Sequence, residues 1–544
     1  MPVHLFASAV SFAVPTEYWA SLAASLVAIS LLKSWSKGAK VLDPPRAALP
    51  SSSFSPIPPL PQDLFIDLHG RVILVASGAF TPLGVVTISA LAHRGAQIIA
   101  LTPDISSPDV IQLIHLIRDS TQNELVYAEQ CDIGSLESIS AFAALWNSGD
   151  KKQPEGVRRL DGLLLLPPTR DQLDRVQLPT NSAQKRRRRD AVYQLHVLSR
   201  FHLINSLLSS LLVLPREREI RIVSVMSPFY AAGLSHFDLL PPSSPSKKAS
   251  NTAQKLDKMA ESSYSALIGA ASLRWYTLTL ELQRRLDLLA EADPRPWTKL
   301  PGIDVQHVKT AAATTGNSKG GETVQEKAAQ KMKQHSNINI INVCPGFERT
   351  ADIIDTFLPH PSRLSPPSLS SPTASQPLPE KGKPSKTASI LESELASRPI
   401  PARTANPISM LIFYIKILLR WCLLLLVWPV LWLLSKSPAT AADSVVWATT
   451  RKVEPLTARY NRILASLSSS GEEEGKEPEV RRWQDAIIPA EMYREGRIIR
   501  PQLPPRFGSS RQGGEAWANL WKAEEEQVER RLNALGGSIK RPKI

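Results

Sequence analysis

Cysteine is almost missing from this chain of 544 residues. Cys131, Cys344 and Cys422 stand far apart, and none belongs to a C-x-x-C pair. That spacing argues against a thiolate zinc site and against a disulfide framework, and it favours a reducing compartment. Long uninterrupted apolar runs are missing too. A spanning helix needs about 17–25 residues. The first apolar stretch runs only from Tyr18 to Leu32, and extending it back to Leu5 means crossing Pro15 and Glu17. No basic residue precedes it, so it makes a poor signal peptide. No internal repeat is visible, and no aromatics interleave with the basic residues as single-stranded nucleic-acid binding would require. Nucleic acid is therefore not an expected partner.

What the chain has in quantity is proline, 45 in all, and positive charge, +14 net. Pro- and Ser-rich stretches at 44–68 and 360–407 read as linkers. Inserts fall near 180–190, 236–255 and 308–336. The run Lys185–Arg189 reads as a solvated loop, with an anionic lipid surface or a nuclear-import signal as alternatives. A second apolar stretch, Ile408–Leu434, contains Lys416, Arg420 and Pro429, and its unbroken part is Trp421–Leu434. Lys416 and Arg420 would share a helix face, and a full span would have to bury or snorkel both. Trp421, Trp428 and Trp432 suit a membrane interface. The expectation is attachment to membrane lipid, by a helix or hairpin dipping into one leaflet at least as readily as by a span. Residues 1–43 form a second candidate anchor. The main domain is expected to face the cytosol, with the endoplasmic reticulum and the mitochondrial outer surface both open.

Between these segments, apolar runs alternate with helical patterns. Strands are expected at Arg71–Ala76, Gln97–Leu101, Leu125–Ala128, Asp161–Leu166, Ile220–Val225 and Ile338–Val343. Helices are expected at 82–93, 108–118, 190–213 and 258–290. Continuous apolar strands separated by helices of this length predict an α/β fold, a doubly wound parallel sheet of Rossmann type covered on both faces. The domain is expected to span 69–359.

Six segments then fall in a telling order. They are Ser77–Gly84 after the first strand, Cys131-Asp132, Leu160–Leu164, Arg221–Ser227, Tyr264–Ile268 with Leu278–Leu282, and Cys344–Thr350. Together they resemble the short-chain dehydrogenase/reductase superfamily over roughly residues 69–350. A fungal group of membrane-linked relatives of unknown function is similar as well. The resemblance implies an NAD or NADP site at Ser77, Gly78, Phe80, Gly84, Asp104, Asp132, Pro345, Gly346 and Thr350. It implies catalytic positions at Ser227, Tyr264 and His196, the last standing where the family has asparagine.

The departures are as informative. Loop glycines let a backbone approach the pyrophosphate, which the helix amides then bind. Pro82 replaces the middle glycine, and a proline has no amide to offer. The plainer reading is an ordinary helix start, with Thr81 as N-cap and Pro82 at the first position. Thr102-Pro103 stands where an acidic or basic residue would read the ribose, with Asp104 slightly late. Leu165-Leu166-Pro167-Pro168 replaces the family's N-N-A-G. The lysine that would lower the tyrosine pKa is Ile268, and without a cation a tyrosine titrates near 10. Lys255 and Lys258 precede Tyr264 and would have to fold back. His196 offers a proton relay, against the plainer reading of a helix residue bonded to a neighbour.

After Leu434, Pro438–Trp447 resembles the family's late helix, giving a 436–465 segment of the domain. The stretch 408–435 would then interrupt the domain where the family has its substrate lid. The remaining tail, 466–544, reads as polar, with an amphipathic helix placing Trp517, Leu520, Trp521, Val528, Leu532 and Leu535 on one face. That face suits docking to the domain or to a protein partner. Two functions are weighed. One is a catalytically degenerate, nucleotide-binding-like scaffold with weak or absent cofactor binding. The other is a divergent NAD(P)(H)-dependent oxidoreductase of a lipophilic alcohol or ketone. A different Rossmann enzyme is a third.

Overall fold

The computed structural model describes residues 19–37, 65–149, 158–176, 184–214, 218–239, 264–292, 336–349, 435–453, 486–507 and 510–534, with short pieces between 415 and 433. Thr350, Lys255, Lys258, most of 408–434, the linker 360–407 and residues 44–64 of the expected 44–68 linker lie outside these, whereas Phe65 and Leu68 of that linker join the domain. In chain order the described elements are α1 (Trp19–Lys37), β1 (Val72–Ser77), α2 (Pro82–Ala92), β2 (Gln97–Thr102), α3 (Pro108–Thr121), β3 (Val126–Gln130), α4 (Leu136–Asn147), β4 (Gly162–Leu165) and α5 (Arg170–Arg175). There follow α6 (Gln184–Tyr193), a π turn (Gln194–Leu198), α7 (Ser199–Val213), β5 (Ile220–Val225), a 3-10 helix (Pro228–Leu239), α8 (Tyr264–Ala292) and β6 (Ile338–Val343). The last are α9 (Pro438–Thr450), β7 (Met492–Arg494), β8 (Arg497–Ile499) and α10 (Ser510–Ala534).

The strands form one sheet in the order β3-β2-β1-β4-β5-β6-β7-β8. Every pairing is parallel except the terminal β7–β8 hairpin. The expected parallel α/β sheet is present, with β1 inside it and β5 and β6 paired with Ile222 opposite Ile340. Side chains alternate across each strand. Leu74 and Ala76 enter the core under α4, α7 and α8, whereas Ile73 and Val75 enter the core under α2 and α9. With both faces covered, β5 and β6 are buried along their whole length, which is why they read as unbroken apolar runs.

The structure departs from the sequence reading at several points. Residues 184–193 are helical, so the basic run sits at a helix start rather than in a loop. Helix α4 was not anticipated, although Ser135 caps it and Leu136, Ile139, Phe142, Ala143 and Trp146 bury one face. The tail is not merely polar. It supplies β7 and β8 to the sheet edge. The apolar face of α10 packs on the domain itself: Leu520, Trp521, Val528 and Leu532 join the core, and Trp521 meets Phe201 edge-on at 4.7 Å. Buried Glu524 pairs with Arg274 of α8 and accepts the Tyr193 hydroxyl.

The chain divides into two compact units, Met1–Thr350 with Leu434–Ile544, and Ala351–Leu433. In the second, the described side chains of Ile415, Leu418, Leu419, Trp421, Leu423, Trp428 and Trp432 are exposed. No helix among the described residues is long and apolar enough to cross a membrane.

Candidate nucleotide site and active centre

The loop after β1 is held by its own contacts. Gly78 adopts a left-handed φ of 64°, and a Cβ there would lie 2.3 Å from the Pro167 carbonyl oxygen. A Cβ on Gly84 would lie 2.1 Å from the Gly78 carbonyl oxygen. Both glycines are therefore required by chain-to-chain packing. Thr81 is the N-cap of α2: its Oγ1 accepts the Gly84 amide at 3.0 Å and donates to the Gly78 carbonyl at 2.7 Å. Pro82 occupies the first turn without an amide. Of the amides that a helix N-terminus turns toward an anion, one is missing and one is taken.

A cavity of about 660 Å³ nevertheless opens beside this loop. Gly78, Phe80, Thr81, Thr102, Thr169 and Arg175 are among its lining residues. Arg175 ends α5, a short helix started by a Thr169–Gln172 capping box. It was not singled out in the sequence, because an arginine in a polar segment carries no local mark of facing a cavity. Asp104 and Asp132 are not among the lining residues. Asp104 turns on itself, its Oδ1 accepting the Ser106 amide at 2.8 Å, and Asp132 accepts the Gly134 amide at 2.9 Å. Ser77 is buried and donates to the Leu166 carbonyl at 2.6 Å.

That carbonyl has a second, unanticipated partner. Arg200, at the start of α7, is buried and donates to Leu166 O at 2.9 Å and to Val225 O at 3.4 Å. Its guanidinium bridges the carboxyl ends of β4 and β5. Burial pushes it down to about 10, so it remains a cation at neutral pH. His196 lies on the π turn, a distortion frequent at functional sites. Burial, with Arg200 adding, pushes its pKa down to about 3. It is a neutral imidazole at physiological pH and has no imidazolium proton to give.

Ser227 follows β5. Its Oγ accepts the Phe229 amide at 3.3 Å, and its own amide donates to Ser272 of α8 at 3.4 Å. Tyr264 opens α8, and Tyr264 and Ile268 are half-buried against the main core. The 3-10 helix lies close on α8: a Cβ on Gly269 would meet the Phe229 carbonyl oxygen at 2.1 Å. The structure thus carries Ser227 and Tyr264 on joined elements, with the apolar Ile268 four residues after the tyrosine.

Beyond β6, Pro345 and Gly346 are buried, and Gly346 has φ 90°. Lys436 packs over Gly346 and pairs with Glu495 beside β7. Lys436 also bridges to the same loop, donating its amide to Phe347 O at 2.7 Å and accepting the Arg349 amide at 2.9 Å. Phe347 stacks edge-on against Phe229 at 5.4 Å. A buried lysine that reaches this loop from some 90 positions later in the chain leaves no trace in local sequence.

No family model matches the chain. It is 32% identical to an uncharacterized oxidoreductase of Saccharomyces cerevisiae over 162 residues, 29% of this chain and 37% of the relative. It is 27% identical to an uncharacterized oxidoreductase of Schizosaccharomyces pombe over 176 residues, 31% of this chain and 43% of the relative. The matched stretches span about two fifths of these relatives' lengths. Solved structures include L-sorbose reductase of Gluconobacter frateurii complexed with NADPH and L-sorbose, at 14% identity, 54% and 76% coverage of the two chains and a TM-score of 0.29. A metagenomic short-chain oxidoreductase in complex with NADP aligns at 13% identity, 52% and 84% coverage and a TM-score of 0.28. Similarity at these scores carries no functional weight.

Proposed function

The chain being short-chain dehydrogenase/reductase-like, we propose that it is a membrane-associated, catalytically degenerate member, a scaffold that retains the nucleotide-binding architecture without conventional hydride-transfer chemistry. The observation that carries this reading is the start of α2. Thr81 takes the Gly84 amide and Pro82 has none, so the place a pyrophosphate would dock has little left to donate. Ile268 supports the same reading, because a tyrosine without a neighbouring cation stays a phenol near neutrality. Neutral His196 does not replace it as an acid. NAD or NADP would sit weakly, along the cavity at Gly78–Thr81, with Pro345 and Gly346 on the far side. Membrane lipid is the proposed partner of the two apolar segments, with the domain on the cytosolic side.

A second reading is favoured by that cavity. It remains open, and Arg175 offers it a guanidinium suited to a phosphate. This supports a divergent NAD(P)(H)-dependent oxidoreductase of a lipophilic alcohol or ketone, using Ser227 and Tyr264. Titration of the full chain in detergent with NADH and NADPH, read by nucleotide fluorescence, separates the two, followed by turnover of long-chain ketones. The scaffold reading expects weak or no saturation and no turnover. Micromolar affinity with turnover that Tyr264→Phe abolishes would overturn it.

A further inference from the structure

The carboxyl ends of the parallel strands define one edge of the domain, which carries Ser227, Gly346 and Phe347. We propose that this edge faces a bilayer containing anionic phospholipid, with α1 embedded in the adjoining leaflet. The proposal rests on the membrane attachment proposed above and adds its orientation. Three observations carry it.

The first is α1 itself. Val27, Ile29, Leu31 and Leu32 are all exposed. At 100° per residue, Val27 and Leu31 share one side of the helix while Ile29 and Leu32 point to others. A helix that is apolar on several sides and not covered by protein belongs in an apolar medium.

The second is where α1 is tied. Lys33 Nζ donates to the Ser435 carbonyl at 2.9 Å. Ser435 and Lys436 are buried, and Lys436 is joined through backbone hydrogen bonds to Phe347 and Arg349. The end of α1 is thereby fixed at the carboxyl edge. The apolar stretch 408–434 runs directly into Ser435, so chain continuity brings its end to the residue that α1 is bonded to. Phe347, 37% exposed, adds a large aromatic surface there.

The third is charge. Lys33 and Lys37 end the apolar helix, and a cation following an apolar helix sits at head-group level, where anionic lipid attracts it. The opposite edge is the rival. Leu145, Leu212, Val213, Leu288 and Leu289 are exposed toward the ends of α4, α7 and α8, but no bond among the described residues ties α1 to them. With the carboxyl edge down, a lipophilic ligand would reach the Ser227 loop without leaving the membrane.

The test uses the full chain in a Cys422→Ser background, since Cys131 and Cys344 are buried. An environment-sensitive fluorophore is attached at Phe347→Cys or at Leu289→Cys. Each is mixed with vesicles of phosphatidylcholine, with and without phosphatidylserine, and with brominated lipid as quencher. The expected result is a blue shift and bromine quenching at position 347 and neither at 289, with stronger binding to the anionic vesicles. Val27→Asp with Leu31→Asp should weaken partitioning roughly tenfold or more. Hydrogen exchange of the unlabelled wild type provides a label-free check, with vesicle-dependent protection expected at 19–37 and 345–349. Quenching at 289, or at neither position in a vesicle-bound chain, overturns the orientation. Failure to bind vesicles overturns orientation and attachment together. The nucleotide titration above is unaffected by any of these, so the failure of the scaffold reading would be seen separately.

Discussion

Thr81, Gly84, His196 and His202 show what single residues do in this fold. Gly84 looks like a cofactor glycine in the sequence, yet a Cβ there would meet two backbone oxygens of its own loop, at 2.1 and 2.3 Å. Gly84→Ala should therefore cost the cofactor-free protein about 1–3 kcal/mol, as overpacking does, read by urea denaturation. An unchanged midpoint would return the glycine to a ligand-binding role. The histidines make a pH prediction. Burial pushes His196 down to about 3 and His202 to about 4, whereas both titrate near 6.5 in an unfolded chain. Below about pH 6.5 the unfolded state binds more protons, so stability falls as pH drops through that window, by up to about 1.4 kcal/mol per unit for each histidine. The urea midpoint should be clearly lower at pH 5.5 than at 7.5. His202→Gln, which can keep a hydrogen bond to Ser140 in place of the present 2.8 Å contact, should remove about half of the histidine contribution. Thr81 and Pro82 were legible as a helix start because capping is local. Arg200 was not, since its partners are carbonyls on two other strands.

Elements were legible in proportion to how far their burial was imposed by both faces of the sheet. Strands β5 and β6 are apolar at nearly every position and were bounded correctly. β7 is three residues long and polar in part, and it joins the sheet by pairing Tyr493 beside Val343, a contact between segments 150 residues apart. The amphipathic stripe of α10 was legible, but the choice between domain and partner was not. The deciding group is Glu524, buried in mid-stripe where a stripe pattern offers no reason for a carboxylate. It is matched by Arg274 and Tyr193. Removing one member of a buried pair strands the other, at about 3–5 kcal/mol. Glu524→Ala should lower stability by that order, whereas Glu524→Leu with Arg274→Met should recover most of the loss, because replacing both charges by apolar groups is near neutral. Chemical denaturation of the three proteins decides it. Equal losses in the single and double variants would mean that packing, and not the charge pair, seats α10.

At the scale of the whole molecule, the sequence suggests a domain over 69–359 that is interrupted by 408–435 and resumes with a late helix in 436–465, and the structure draws the tail beyond that helix into the same sheet and core. Helix α9 covers the core under Val75 and Val223, β7 and β8 extend the sheet, and α10 closes the opposite core. The interruption, 351–433, is a compact unit of its own. Its two attachment points are neighbours, because Arg349 donates its amide to the Lys436 carbonyl at 2.9 Å. The strands there run parallel, so the chain must double back rather than turn tightly. A flexible linker of about eight Gly and Ser residues has a root-mean-square reach of about 16 Å, enough for that return. Replacing 351–433 by such a linker should preserve cooperative unfolding and near-ultraviolet circular dichroism. Truncation after Thr450 keeps β1–β6 and every segment that resembles the family, yet it removes α10 and leaves Arg274 and Tyr193 without Glu524. It should yield a chain that aggregates or unfolds without a cooperative transition. If the truncated chain folds and the one carrying the linker does not, the domain needs nothing after α9 and 351–433 is part of its core. The reverse result makes the tail, distant in sequence, as necessary to the fold as the nucleotide loop.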